Sequence, residues 1–345
     1  MSRIGMNPAR HKKSTYRPAR VTIAMLVYLP HLSGYFKHRF DVVKLSLESI
    51  FKNTRTPYDL LVFDNASCAE VKVHLQKLVD AGKIRYLLTS SENIGKLGAL
   101  HLISASAPGE VLAYTDDDTF FYPGWLEAHL RILDAFPKVG MVSGSPERTL
   151  FDHGIESNIK FADADPSTTL VYAKTIPESW EQEWAISLGK DPREFLGEIR
   201  KLDDITLERN GLQVYATACH NQFVSPLEVA RRFLQAEWTG RLMGGMNALD
   251  NAIDSAGYLR LTTHERTTRL IGNLVSPTLA AEAQTYSIDI VKAVDVKSRT
   301  SKILQWKPVR WMLQGIYNRL FGLLSGETGG WYEAADEENA SGGIG

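Results

Sequence analysis

Apolar residues along the chain form short continuous runs that alternate with helically spaced patterns. The run over residues 21–29 is nearly all apolar and rich in β-branched residues, which is typical of a strand buried on both faces of a parallel sheet. A helical pattern follows from Val42 to Phe51, and the next apolar run, Leu60–Phe63, ends abruptly at Asp64. The order strand, helix, strand predicts an α/β fold.

The same alternation continues towards the C-terminus. It predicts helices at 71–81, 96–106, 123–136, 226–234 and 247–256, and strands at 85–88, 111–114, 139–143, 213–218 and 258–261. Residues 146–210 are polar and irregular, and no regular element is predicted there. We expect a Rossmann-like, mostly parallel sheet flanked by helices.

Composition and charge narrow the class of protein. The chain has 345 residues, of which 44% are hydrophobic and 23% charged, as in soluble globular proteins. A net charge of -1 argues against nucleic-acid binding through a positive surface field. Two cysteines are too few for a disulfide framework, and no apolar run is long enough to span a membrane. We therefore expect a cytoplasmic protein with a basic disordered tail at 1–20 and an acidic one at 327–345.

The acidic run Asp116-Asp117-Asp118 follows the strand at 111–114 directly. Ligands of parallel sheets bind beyond the carboxyl ends of the strands, and Asp64 lies at another such end. Adjacent carboxylates repel one another, so a positive group should offset them. Mg²⁺ or Mn²⁺ prefers oxygen ligands and often shares them with phosphates. Asp116 and Asp118 could hold a metal while Asp117 contacts a ribose; the alternative is a solvated loop.

Four blocks, read in order, resemble the family 2 glycosyltransferases. The blocks are Val62–Ser67, Glu92–Lys96, Asp116–Asp118 with Pro123–Leu126, and Ala256–Tyr258 followed by Ile271–Asn273. The resemblance covers about residues 21–275 and implies a GT-A fold in a glycosyltransferase domain. Residues 276–326 would then form a C-terminal helical extension.

The resemblance implies a role for each matching residue. Asp64 matches the acid that recognises the nucleoside base, although it could instead cap a turn. Asn93 and Gly95 match an element beside the base, where Asn93 could instead cap a helix. Lys96 could neutralise phosphate charge. Asp116 and Asp118 match the two ends of the Asp-x-Asp element, and the cofactor would be Mg²⁺ or Mn²⁺.

The general base is less well defined by the motif. Sugar transfer with inversion needs one carboxylate to take the acceptor's proton. The helix predicted at 247–256 offers Asp250 and Asp254, neither at the family spacing, and we prefer Asp250 because Asp254 lies nearer the turn. The family's usual histidine before Ile271 is absent, and Leu270 stands in that position.

Two aromatic residues and the C-terminal segment are candidates for contact with the acceptor. His220 could line an acceptor pocket, and Trp125 could stack on a sugar, although an aromatic residue in the core is commoner. The apolar residues of 303–324 recur at helical spacing among basic ones, so this amphipathic helix could lie on the inner face of the plasma membrane or pack on the domain.

The sequence therefore favours an inverting, metal-dependent glycosyltransferase. Its partners would be a nucleotide-diphosphate sugar and a glycan or lipid-linked acceptor, and no nucleic acid. One alternative is a catalytically inactive GT-A-like module that binds carbohydrate or nucleotide. The other is a sugar nucleotidyltransferase, although the segment Leu29–Gly34 is a poor match to the glycine-rich, basic loop of that class.

Overall fold

A central sheet with helices on both faces organises the described part of the chain. The computed structural model describes residues 7, 9–234, 242, 246–289 and 293–294. The strands are β1 Val21–Val27, β2 Tyr58–Asn65, β3 Tyr86–Ser90, β4 Val111–Asp116, β5 Thr119–Phe121, β6 Val139–Ser143, β7 Thr168–Ala173, β8 Asp204–Arg209, β9 Leu212–Tyr215, β10 Gln222–Pro226, β11 Leu259–Thr263 and β12 Thr268–Leu270. The helices are α1 Arg39–Asn53, α2 Ala69–Asp80, α3 Gly95–Ser106, α4 Trp125–Ala135, α5 Glu156–Ala164, α6 Glu178–Ser187, α7 Pro192–Ile199, α8 Leu227–Phe233, α9 Met246–Ser255 and α10 Pro277–Thr285.

Ten of these strands form one sheet, in the order β3-β2-β1-β4-β10-β6-β11-β9-β8-β7. The first four of them in space are parallel, and β6 is parallel to β11. β10 runs antiparallel between β4 and β6, and β9, β8 and β7 continue the sheet with antiparallel pairs. The predicted α/β fold with a mostly parallel central sheet flanked by helices is confirmed.

Alternate residues of β1 face two separate apolar cores. Ile23 and Met25 pack in a core shared with α1, α2 and α4, whereas Ala24 and Leu26 pack in a core shared with α3, α8 and α9. Both faces of the strand are therefore covered, which accounts for the unbroken apolar run in the sequence.

The strand register brings the predicted acids to one edge of the sheet. Val27, at the end of β1, is paired with Asp64 of β2, and Leu26 is paired with Asp116 of β4. Asp64 and Asp116 therefore lie on either side of the C-terminal end of β1. This edge is the one at which ligands of parallel sheets bind.

The main differences from the predicted elements lie in the second half of the chain. The segment 146–210, for which no regular structure is predicted, contains α5, β7, α6, α7 and β8. β10 is also absent from the prediction, because only Phe223 and Val224 of its five residues are large and apolar and it ends in Pro226.

The segment before β1 is attached to the sheet. The Tyr16 hydroxyl donates to Asp59 Oδ2 at 2.6 Å, and the Arg20 carbonyl accepts from Val111 N–H at 3.0 Å. Within the described ranges, no helix combines the length and apolar character needed to cross a membrane. The segments predicted at 303–324 and 327–345 lie outside the described residues.

Candidate donor and acceptor site

The acidic triplet forms the turn between β4 and β5 and is held by backbone hydrogen bonds on both sides. Asp116 N–H donates to the Asn221 carbonyl at 2.9 Å, and the Asp118 carbonyl accepts from Ile271 N–H at 2.7 Å. The turn is therefore fixed between the segment that leads into β10 and the segment that follows β12. Its three side chains have different surroundings.

Asp116 is paired with a lysine from the helix that begins at the same edge. Lys96, the second residue of α3, places Nζ 2.7 Å from Asp116 Oδ2, and the Tyr114 hydroxyl donates to Oδ1 at 2.5 Å. Burial, followed by the charge of Asp116, raises the pKa of Tyr114 well above its usual value. Both Asp116 oxygens are thus engaged while about a quarter of the side chain, 24%, is exposed.

Asp117 and Asp118 share one arginine. Arg39, the first residue of α1, donates from one guanidinium nitrogen to Asp117 Oδ1 and from the other to Asp118 Oδ2, the latter at 2.7 Å. Asp117 Oδ2 accepts from Tyr28 N–H at 3.3 Å. Burial raises the pKa of Asp117 to about 7 and also raises that of Asp118, while the charge of Arg39 opposes both shifts.

The repulsion within the triplet is therefore offset mainly by the protein itself. The sequence predicts a metal ion in that role, and the structure adds the side-chain cations of Arg39 and Lys96. Arg39 also donates to the Gly272 carbonyl at 3.3 Å. When all three carboxylates are ionised, two cations leave one negative charge that an external cation would neutralise.

The donor atoms at this turn are suited to Mg²⁺ or Mn²⁺. Asp118 Oδ1 has no hydrogen bond within the described residues, and 16% of the side chain is exposed. The described residues do not bring together a set of three or more His, Cys, Asp or Glu ligands. Asp116 and Asp118 would supply two hard oxygen ligands, and phosphate oxygens and water would complete the shell. The residues present therefore fit a divalent cation that arrives with a diphosphate.

Asp64 lies at the wall of a cavity that also contacts α2 and the end of β3. The cavity measures about 430 Å³ and is also lined by Lys72, Gln76, Thr89 and Ser90. Asp64 Oδ1 accepts from Ser67 N–H at 2.9 Å, which is the turn contact that the sequence left open. Asp64 has no exposed surface, and its Oδ2 has no hydrogen-bond partner among the described residues. A buried acceptor without a partner is costly, and a ligand N–H would satisfy it if the wall of the cavity moved to uncover the side chain.

Asn93 and Gly95 shape the start of α3. Asn93 Oδ1 accepts from Gly95 N–H at 2.9 Å and from the Asn65 side chain at 2.8 Å. Gly95 has a φ of 73°, a left-handed conformation that favours glycine. These contacts turn the chain from the end of β3 into α3 and so place Lys96 at Asp116. Asn93 thus serves the helix start, and its side chain reaches the end of β2 through Asn65.

Asp250 is enclosed by basic groups. It is fully buried on α9, and its Oδ2 accepts from His220 Nδ1 at 3.1 Å and lies 3.1 Å from Arg260 and 3.4 Å from His153. Burial alone would raise the pKa of Asp250, but the hydrogen bonds of His153 and His220 and the charge of Arg260 lower it to about 2.

Asp254 and Trp125 lie away from the triplet. Asp254 Oδ1 accepts from Ser157 N–H at 2.9 Å and so holds the first turn of α5. Trp125 is 1% exposed, packs on Phe121 and donates its indole N–H to Thr54 at 2.9 Å. Its ring therefore belongs to the core, the commoner arrangement noted from the sequence, and cannot stack on an acceptor without leaving it.

Leu270 stands at the position of the family's usual histidine and belongs to a pair of strands. Leu270 pairs with Thr119 across β12 and β5, directly before the residue whose N–H reaches Asp118. His264, the nearest histidine in the sequence, stacks on Tyr215 with ring centroids 5.3 Å apart. Neither residue adds a metal ligand at the triplet in the described structure.

Two further acids, Glu147 and Glu181, are buried in the described part of the chain. Glu147 and Glu181 are 2% and 1% exposed, and Glu181 Oε2 has no hydrogen-bond partner among the described residues. Burial raises the pKa of Glu181 to about 7, and burial together with the charge of Glu181 raises that of Glu147 well above its usual value. Glu147 in turn raises the pKa of the buried Cys219 thiol, after burial itself.

We expect Glu181→Gln to stabilise the protein at pH 8 and to do so much less at pH 5. A carboxyl whose pKa is raised on folding contributes its full stability below its unfolded pKa, near 4.5, and loses it as the pH rises through about 7. Glutamine keeps the oxygen that accepts from Arg148 N–H and removes the charge. The gain at pH 8 should be about 1–3 kcal/mol in urea unfolding.

The exposed acid Glu178 on the same helix provides the control. It pairs with Arg200 at 3.8 Å and its side chain is 58% exposed. Glu178→Gln should change the free energy of unfolding little at either pH. An equal effect of Glu181→Gln at pH 5 and pH 8 would contradict the prediction, because it would show that ionisation of the buried carboxyl does not lower the stability.

Comparisons with known proteins show that part of this chain is similar to a family. Residues 36–179 match the model described as Glycosyl transferase family 2. A search of curated proteins found no match.

Three solved structures show limited similarity to the chain. A mannosyltransferase, PcManGT from Pyrobaculum calidifontis in complex with GDP-Man and Mn²⁺, is 25% identical, with 40% of this chain and 38% of that chain covered and a TM-score of 0.32. S. aureus TarS 1-349 is 10% identical, with 72% and 59% covered and a TM-score of 0.40. GalNAc-T7 with UDP, GalNAc and Mn²⁺ is 12% identical, with 88% and 58% covered and a TM-score of 0.46. The aligned parts span less than two thirds of each of these structures.

Proposed function

We propose that the chain moves a sugar from a nucleotide-diphosphate donor to an acceptor hydroxyl, with inversion and with Mg²⁺ or Mn²⁺, because residues 36–179 match the model described as Glycosyl transferase family 2. The observation that carries the proposal is the convergence of Asp64, Asp116 and Asp118 at one sheet edge within the matched residues. Asp64, whose Oδ2 has no partner among the described residues, lines a cavity, and the side chain of Asp118 is 16% exposed.

Different residues would contact the base and the diphosphate of the donor. Asp64 Oδ2 would accept an N–H of the base, and the polar groups of Thr89 and Ser90 line the same cavity. Lys96 and Arg39 would lie next to the diphosphate and reduce its negative charge. The bound cation, held by Asp116 and Asp118, would stabilise charge on the leaving diphosphate.

We further propose that the acceptor is a glycan or a lipid-linked sugar at the cytoplasmic side of a membrane, as in the building of cell-surface polysaccharide. The amphipathic pattern of 303–324 supports this proposal from the sequence. That segment lies outside the described residues.

The function is tested with a thermal-shift screen that uses UDP, GDP, UDP-glucose, UDP-GlcNAc and GDP-mannose, each with Mn²⁺ or with EDTA. A ligand that binds only the folded protein raises Tm. We expect at least one nucleotide to raise Tm more with Mn²⁺ than with EDTA, and its sugar form to be consumed with release of the nucleoside diphosphate. Absence of any shift and of any consumption would overturn the proposed function.

Asp64→Asn should weaken binding of the nucleotide found in that screen about 10-fold or more. A carboxylate oxygen only accepts hydrogen bonds, whereas the asparagine side chain can turn its NH₂ group towards a ring N–H and repel it. One lost hydrogen bond to a charged group corresponds to about 1.5–3 kcal/mol. Calorimetric titration with the free nucleoside diphosphate and Mn²⁺ measures the change.

Asp80→Asn is the matched control for this prediction. Asp80 ends α2, the helix that supplies Lys72 and Gln76 to the cavity wall, and its carboxylate accepts from Gln76 at 2.9 Å. We expect nearly unchanged affinity in this variant. Equal losses in the two variants would mean that Asp64 acts through the fold of this region and not through the base.

A further inference from the structure

The side chain of Asp250 is poorly placed to take a proton from an acceptor. It has no exposed surface, and its Oδ2 is shared by His220, His153 and Arg260. Its other oxygen, Oδ1, is buried and has no hydrogen-bond partner in the described part of the chain. An acceptor hydroxyl therefore cannot reach either oxygen without displacing the side chains that cover them.

His220 directly precedes a residue whose backbone contacts the acidic triplet. β10 pairs antiparallel with β4, with Gln222 opposite Thr115, and just before this pair the Asn221 carbonyl accepts from Asp116 N–H at 2.9 Å. The backbone of His220 is therefore one residue away from the contact with Asp116. His220 thus borders the place where the donor diphosphate is proposed to bind.

The ring of His220 is oriented by one nitrogen and exposes the other. Nδ1 lies 3.1 Å from Asp250 Oδ2, which can only accept, so Nδ1 carries the hydrogen. Nε2 has no hydrogen-bond partner among the described residues, and 22% of the side chain is exposed. In the neutral ring, Nε2 then carries a lone pair directed away from Asp250.

His153, the other histidine on Asp250, is in a different state. Its Nδ1 lies 2.5 Å from Asp152 Oδ1 and its Nε2 lies 3.4 Å from Asp250 Oδ2, so both nitrogens face carboxylates. The hydrogen bonds to Asp152 and Asp250 raise the pKa of His153 to about 9. His153 is thus a charged partner of Asp250, with no nitrogen available to accept a proton.

We propose that His220 is the general base of the glycosyl transfer and that Asp250 is the residue that positions it. This inference rests on the proposed function and replaces Asp250, our preferred base from the sequence. The acceptor oxygen forms a bond to the anomeric carbon as the bond from that carbon to the diphosphate oxygen breaks. The hydroxyl proton goes to His220 Nε2, and the electron pair of the broken bond remains on the leaving diphosphate.

Asp250 supports this step in two ways. Its hydrogen bond fixes the tautomer with Nδ1 protonated, and its negative charge stabilises the imidazolium that forms. Arg260 and His153 keep Asp250 ionised and in place. The charged and titratable groups around His220 and its partner are Asp152, His153, Asp250, Asp254 and Arg260, together with Glu147, Cys219, Lys96 and the acidic triplet.

The test compares His220→Gln with His264→Gln in the full chain, with water as the acceptor. Hydrolysis of UDP-glucose, UDP-GlcNAc and GDP-mannose with Mn²⁺ is followed by release of the nucleoside diphosphate. We expect His220→Gln to lower kcat by about 10²–10⁴-fold, the usual contribution of a general base. The Tm increase caused by the nucleoside diphosphate with Mn²⁺ should be unchanged. His264→Gln is the control, because His264 stacks on Tyr215 and does not contact Asp250 in the described structure. This variant should leave kcat unchanged.

Asp250→Asn separates positioning from structure. Loss of the carboxylate should shift the acid limb of the kcat profile of the variant to lower pH, because the imidazolium loses its stabilising charge. A purely structural role would lower the amount of folded protein without moving that limb. The ¹⁵N NMR shifts of the wild-type histidines give a readout that does not depend on folding of a variant: His220 should carry its proton on Nδ1.

The outcomes distinguish this inference from the function on which it rests. If the wild type hydrolyses a nucleotide sugar and His220→Gln keeps kcat within threefold, the base assignment is overturned while the glycosyltransferase proposal stands. A proton on Nε2 in the neutral ring would overturn it as well. If the wild type neither binds nor consumes any of the nucleotides, the proposed function fails and this inference fails with it.

Discussion

Asp118→Asn is expected to lower kcat/KM for the nucleotide sugar by about 10²–10³-fold. The carboxylate has an oxygen without a hydrogen bond within the described residues and is partly exposed, whereas an amide is a much weaker ligand for Mg²⁺ or Mn²⁺. A metal that stabilises a leaving diphosphate contributes several kcal/mol, and each 1.36 kcal/mol corresponds to tenfold in rate. Donor consumption at saturating Mn²⁺ measures the loss.

The same variant also separates an enzyme from an inactive binding module. Arg39 keeps its contact with Asp117 in Asp118→Asn, so we expect the variant to stay folded. The control is Asp41→Asn, which removes a carboxylate paired with Lys44 at 3.0 Å on the same helix as Arg39. A module that binds without a metal would keep its nucleotide affinity in Asp118→Asn and in EDTA, and that result would contradict the metal assignment.

Arg148→Met is expected to lower the free energy of unfolding by about 3–5 kcal/mol, because it leaves a buried carboxylate without its charged partner. Arg148 is 4% exposed and Asp204 is completely buried, and two guanidinium nitrogens contact its two oxygens at 2.5 and 3.2 Å. The backbone N–H of Ile176 donates to the same carboxylate at 2.7 Å, so Asp204 ties the loop before α6 to β8. Urea unfolding followed by circular dichroism measures the change.

Two further variants make this prediction specific. Arg200→Met removes an arginine from an exposed pair, 3.8 Å from Glu178, and should cost less than about 1 kcal/mol. The double variant Arg148→Met with Asp204→Asn removes both charges and should be less destabilised than the two single losses combined. A loss below about 1 kcal/mol in Arg148→Met itself would show that the backbone N–H groups alone satisfy Asp204.

The first half of the fold could be predicted because its strands are apolar throughout and end in acids. β1, β2 and β4 lie close to the predicted runs, since strands buried on both faces carry an unbroken apolar signal. β7 and β8 lack that signal. β7 is the edge strand and has three exposed residues, β8 alternates polar with apolar residues although its first four are buried, and the helices between them, α6 and α7, are short.

The candidate site was only partly predictable from the sequence. Asp64 and Asp116 follow apolar runs, and the rule that parallel strands end at a common edge is enough to bring them together. Arg39 has a weaker signal: it opens the helix that follows β1, and such a helix starts near that edge. The contacts of Asp250 with Arg260 and His220 join segments that are distant in the sequence, and no local pattern records them.

The contact between Arg39 and Asp117 joins two positions 78 residues apart. A buried charge that loses its partner is strongly destabilising, so neither residue can be made neutral alone at low cost. Natural divergence and protein engineering are therefore expected to change the two positions together. A cation at position 39 should accompany an acid at position 117, which gives a two-letter signature for recognising distant relatives.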